Sequence, residues 1–128
     1  MMFEPSVIVL YVENLALSSN FYRDLMGITP TEHSPSFHEF KLSNGMSLSL
    51  KAKHTVEPPM DKNNGNGELA FTVHDHKKVD ELFARWQAKK IHIIHPPTSV
   101  PYGYTFLGQD PDANRLRVVS VEKQATKE

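Results

Sequence analysis

The chain is written twice, and that repetition constrains its fold more than any other feature. Sliding the sequence by 61 positions lays Val12 on Val73, Asn14 near Asp75, Phe21 on Leu82 and Tyr22 on Phe83. Self-similarity at a fixed offset means two copies of one supersecondary unit. In the first copy residues 6–12 are a β-branched apolar run, and Asn14 offers an N-cap to a helix over Leu15–Met26. Leu17, Phe21 and Leu25, with Tyr22 and Met26, recur there at helical spacing, and Gly27 supplies the stop. Extended runs follow at residues 28–32, 37–42 and 46–51, the last two joined by the hairpin signal Ser43-Asn44-Gly45.

The second copy has the same order. Residues 68–74 read as a strand, Asp75 as an N-cap, and residues up to about Lys90 as a helix with Val79, Leu82, Phe83 and Trp86 on one face. Strands are expected near residues 91–94 and 104–109 and at Arg115–Val121. The organisation is therefore one domain of two βαβββ modules, about 6–51 and 67–122. Between them lies a polar linker, about 52–66, that contains Pro58-Pro59 and most of the run Asn63-Asn64-Gly65-Asn66-Gly67. The aromatic residues at helical spacing are assigned to helix-to-sheet packing.

Composition removes several functions. With 14 Lys plus Arg against 15 Asp plus Glu and no like-charge block, there is no electrostatic footprint for nucleic acid or an anionic membrane. The apolar run at residues 7–12 is too short to span a bilayer, and the N-terminus lacks a basic flank and a cleavage-like site, so a soluble cytoplasmic protein is expected. Zero cysteines exclude disulfides, thiolate nucleophiles and thiolate metal sites.

Near the C-terminus, Gln109-Asp110-Pro111-Asp112-Ala113-Asn114-Arg115-Leu116-Arg117-Val118 is a tight turn feeding a β-run. It resembles the Asp-Pro-Asp-Gly-Asn-x-Ile-Glu-Leu signature of the vicinal oxygen chelate superfamily, which includes glyoxalases, bleomycin-resistance proteins and extradiol dioxygenases. The duplicated βαβββ pattern and the Phe21-Tyr22-x-x-Leu25-x-Gly27 helix end extend the resemblance over essentially the whole chain. It implies an α+β fold in which two modules form a curved mixed sheet with a cleft, helices on the outside. It also implies a homodimer.

Strand alternation assigns side chains to faces. Leu69, Phe71 and Val73 suit the helix side, which leaves Glu68, Ala70 and Thr72 toward the cleft; by the 61-residue shift Val7, Val9 and Tyr11 do the same. Ser47 and Ser49 point away from the apolar set Met46, Leu48 and Leu50, and Arg115, Arg117 and Val119 face the cleft from the last strand. In metal-dependent relatives the corresponding positions carry His or Gln, Glu, His and Glu. Here they carry Val7, Ser49 (or Ser47), Glu68 and Arg117. Only Glu68 can ligate a metal, and a guanidinium has donors but no acceptor, so neither a metal nor another cofactor is expected.

Glu68 and Arg117 instead read as a cross-strand ion pair, filling the old metal position or recognising a ligand oxyanion. Tyr102 and Tyr104, flanking Gly103, are added as rim residues. Three readings remain open: a metal-free protein binding or sequestering a small amphipathic or antibiotic-like ligand, a lyase, isomerase or dioxygenase-type enzyme with Glu68 as general base and Arg117 as oxyanion stabiliser, and a degenerate partner protein whose cleft is inert. Seven histidines are set aside. His92 and His95 in particular stand three apart on a strand, which places them on opposite faces. The stretch Gly65-Asn66-Gly67-Glu68-Leu69-Ala70 mimics a dinucleotide fingerprint but opens a strand rather than a helix.

Overall fold

A computed structural model of the chain describes residues 4–56 and 68–122. The linker segment 57–66 lies outside the described residues, and the part just before it forms a single 3-10 turn, Lys53–Thr55. The elements are β1 (Val7–Val12), α1 (Leu15–Met26), β2 (Thr31–Ser34), β3 (Phe37–Lys41) and β4 (Ser47–Ala52). They are followed by β5 (Glu68–Thr72), α2 (His76–Ala88), β6 (His92–Val100), β7 (Gly103–Gln109) and β8 (Arg115–Val121). Two four-stranded mixed sheets result, ordered β1-β4-β3-β2 and β5-β8-β7-β6, so the repeat in sequence is a repeat in topology. In each, the first and last strands run parallel and the remaining pairs antiparallel.

The helices start where their caps dictate. Asn14 accepts from the Leu17 N–H at 3.0 Å and Asp75 from the Lys78 N–H at 2.9 Å, each satisfying an orphan donor of the first turn. Gly27, at φ 72°, closes α1 by donating its N–H to the Arg23 carbonyl at 2.8 Å. The buried face of α1 is Leu15, Ser18, Ser19 and Tyr22, whereas Leu17 is exposed, which corrects the helical stripe expected through Leu17. Small serines let the helix lie close to its sheet, and His38 of β3 meets Ser19 there through an Nδ1–Oγ contact of 2.8 Å. The module-one core is Val12, Tyr22, Phe40, Leu48 and Leu50, all but fully buried.

In module two, Trp86 packs edge-on against Phe71 and Phe106, and Phe83 joins Phe106. Tyr22 meets Phe40 of β3 in the same way, so Tyr22, Phe83 and Trp86 pack against their sheets as expected, while the ring of Phe21 meets that of Tyr22 within α1.

The Asp-Pro-Asp-Ala-Asn turn aims β8. The buried Asp110 carboxylate accepts from the Asp112 N–H at 2.9 Å, the Asn114 N–H at 2.8 Å and the Asn114 Nδ2 at 2.9 Å. Ala113 takes φ 69°, a left-handed conformation costing an L-residue about 1 kcal/mol, at the place where the family signature has glycine.

Candidate functional site

The face of the module-two sheet that turns away from α2 carries the charged pair anticipated from sequence. Glu68 stands opposite Arg115 and Arg117 opposite Ala70, so the ion pair is a diagonal one across β5 and β8. Arg117 Nε donates to Glu68 Oε2 at 2.8 Å, and its Nη1 donates to Thr105 Oγ1 at 3.1 Å. Thr105 is buried and donates its O–H to the Val118 carbonyl at 2.8 Å, which leaves its oxygen as an acceptor for the arginine. A guanidinium has five N–H bonds; two are engaged here, so three are without a partner among the described residues.

The Tyr102 ring lies 5.9 Å from the Arg117 guanidinium carbon, within cation–π range. Arg117 keeps 17 % of its side chain exposed: it is held, yet accessible. Beside it opens a concavity of about 190 Å3, lined by Tyr102, Val100, Leu107, Thr98 and His95 as well as Arg117. Ala70 and Thr72 are exposed along the neighbouring strand, and Val119 is buried beside Thr105.

Tyr104 is not part of this site. Its hydroxyl donates to Asp80 of α2 at 2.8 Å, and its ring stacks on His76 at 4.4 Å, so it lies on the helix side. The Asp80 carboxylate pushes the phenol pKa up, consistent with a hydroxyl that keeps its proton. The physical reason is that β7 begins at Gly103: Tyr102 sits in the preceding turn, outside the strand alternation, and the two tyrosines reach opposite faces.

Sequence reasoning also missed His95. Register shifts between Ile93 and His95, where an extra residue restores the histidine to the face of His92, opposite Leu107. A bulge inverts alternation, and nothing in the sequence there marks one except the following Pro96-Pro97.

Module one has its own polar cluster. Val7 and Val9 are exposed and pair with Ser47 and Ser49, which are buried, while Tyr11 is exposed opposite Lys51. Both serines therefore share the face of Val7 and Val9, whichever is aligned with the family's ligand position. Glu39 was not singled out, although counting back from the Ser43-Asn44-Gly45 hairpin pairs it with Ser49. Ser47 Oγ donates to one oxygen of Glu39 and His33 Nε2 stands 2.8 Å from the other. The Ser47 hydrogen bond, then that of His33, holds the Glu39 carboxyl below the ordinary glutamate range. A lowered folded-state pKa contributes stability that is present above the unfolded value and lost as pH falls through the folded one. Acid titration of wild type and Glu39→Gln, followed by denaturant midpoint, should show the wild type losing stability more steeply below the ordinary glutamate range.

The metal that the resemblance implies does not fit these residues. Arg117 presents N–H donors where a carboxylate would ligate, Glu68 is engaged by that cation, and Val7 has no donor atom at all.

The chain belongs to the Glyoxalase/Bleomycin resistance protein/Dioxygenase superfamily, whose sequence model matches residues 5–118. The phenazine antibiotic resistance protein EhpR of Enterobacter agglomerans is 27 % identical over 121 residues, 92 % of each chain. A protein of Agrobacterium tumefaciens known from a solution structure is 44 % identical, with a TM-score of 0.83 over 95 % of this chain and 100 % of that one. A lactoylglutathione lyase from the same organism is 25 % identical, with a TM-score of 0.74 over 91 % and 92 %. Among the described residues no helix is long and apolar enough to cross a membrane.

Proposed function

We propose that this protein binds a small amphipathic molecule on the module-two face, with Arg117 receiving its anionic or strongly polar oxygen. The observation that carries this reading is the state of Arg117: fixed by Glu68 and Thr105, flanked by the Tyr102 ring, and left with three N–H donors beside a concavity. Preorganised donors bind an oxyanion without the entropy of ordering a free side chain. Ala70, Thr72 and Val119 extend the same sheet face, and in module one the candidate residues Val7, Val9, Tyr11, Ser47 and Ser49 share one face of their own sheet. Similarity to a phenazine resistance protein supports sequestration of a planar, antibiotic-like molecule.

The similarity to a lactoylglutathione lyase supports a second reading, an enzyme with Glu68 as base and Arg117 as oxyanion stabiliser. Glu68→Gln separates the two. Glutamine keeps an acceptor for the Arg117 Nε–H, so a binding protein should retain affinity within about tenfold, whereas an enzyme deprived of its base should lose turnover by about 100-fold or more at unchanged affinity. Calorimetry and a glyoxalase-type turnover assay on both proteins provide the comparison. We further propose a homodimer. Sedimentation equilibrium should return twice the 14.5 kDa chain mass, and a monomer at micromolar concentration contradicts it.

A further inference from the structure

The Arg117 reading fixes one end of a ligand, and His95 defines the other. Across the four strands of module two, His95 pairs with Leu107, Leu107 with Arg117 and Arg117 with Ala70, which makes one row on one face. Strands lie about 4.8 Å apart, so the backbones of His95 and Arg117 are about 10 Å apart, with Leu107 between them. Both side chains line the same concavity.

His95 Nδ1 is 2.9 Å from the Pro96 carbonyl oxygen. A carbonyl can only accept, so this bond places the proton of the neutral ring on Nδ1 and leaves Nε2 as a hydrogen-bond acceptor. Arg117 offers only donors. The two ends of the concavity are therefore opposite in hydrogen-bonding sense, joined by the apolar surfaces of Leu107, Val100 and Tyr102. Its volume of about 190 Å3 exceeds the roughly 150 Å3 that suffices for a benzene ring.

We propose that His95 is a specificity-determining residue and that the ligand class is a single-ring aromatic acid carrying an O–H or N–H donor at the end remote from its acid group. This rests on Arg117 as the oxyanion anchor. Three probes test it by calorimetry: benzoate, 4-hydroxybenzoate and 4-methylbenzoate, the last two nearly isosteric.

Wild type should prefer 4-hydroxybenzoate over 4-methylbenzoate by about tenfold. His95→Phe should abolish that preference while keeping benzoate affinity within about threefold, and His95→Gln, which retains an acceptor, should restore part of it. Arg117→Met should weaken all three probes together. A His95→Phe protein that still discriminates the hydroxyl from the methyl overturns the role of His95 and leaves the anchor standing. An Arg117→Met protein that binds all three as wild type does overturns the anchor and the ligand orientation with it. Wild type that binds none of the three overturns both.

Discussion

Replacing Arg117 by Met should weaken binding of a carboxylate ligand such as benzoate by about 2–4 kcal/mol, while a purely apolar probe of the same size loses little. Methionine keeps much of the length and apolar volume of the stem, so the concavity beside it is largely preserved. What goes is the set of three N–H donors and the positive charge. Glu68 then loses its partner, but its side chain is 35 % exposed and can turn to water, so little of the effect is structural. Calorimetry on the two proteins, with thermal melts to show an unchanged fold, makes the measurement. Equal losses for the polar and apolar probes would indicate a disturbed cavity rather than a lost oxyanion contact.

Gly103→Ala should destabilise the protein by about 3 kcal/mol or more. A Cβ at Gly103 would fall 2.1 Å from the Ser120 carbonyl oxygen, and both are backbone positions of paired strands, so neither side can relax without breaking the β7–β8 ladder. The φ of +156° adds backbone strain. Gly45→Ala provides the contrast, because at φ +92° it meets nothing within 4 Å and should cost only about 1 kcal/mol of conformational strain. Urea midpoints of the two variants should differ clearly. The result bears on the site, since Gly103 begins the strand that carries Thr105 and Leu107 and directs Tyr102 toward Arg117.

The architecture was legible because its determinants are local. Asn14, Gly27 and Asp75 mark helix ends by their own hydrogen bonds, and the offset repeat needs no tertiary information. The Glu68–Arg117 pair was legible for a similar reason: alternation holds through β5 and β8, and parallel pairing brings the two within reach. Legibility failed where alternation is interrupted. The β6 bulges moved His95 onto the face of Arg117, and the turn before Gly103 separated Tyr102 from Tyr104. Leu17 misled because hydrophobicity at helical spacing was read as burial, whereas two serines occupy the contact face of α1. Glu39 was overlooked because its partners, Ser47 and His33, come from two different strands.

The most direct test of Arg117 as the ligand anchor observes its guanidinium itself, by side-chain 15N NMR during a titration with benzoate. In the free protein the Nε–H is held by Glu68 and one Nη1–H by Thr105. Ligand should produce a saturable shift confined mainly to the Nη groups and slow their rotation, with the Nε signal nearly unmoved, because the open donors are the ones a carboxylate would take. Saturable binding of benzoate that leaves every Arg117 signal in place would contradict the account and reduce the pair with Glu68 to a structural one.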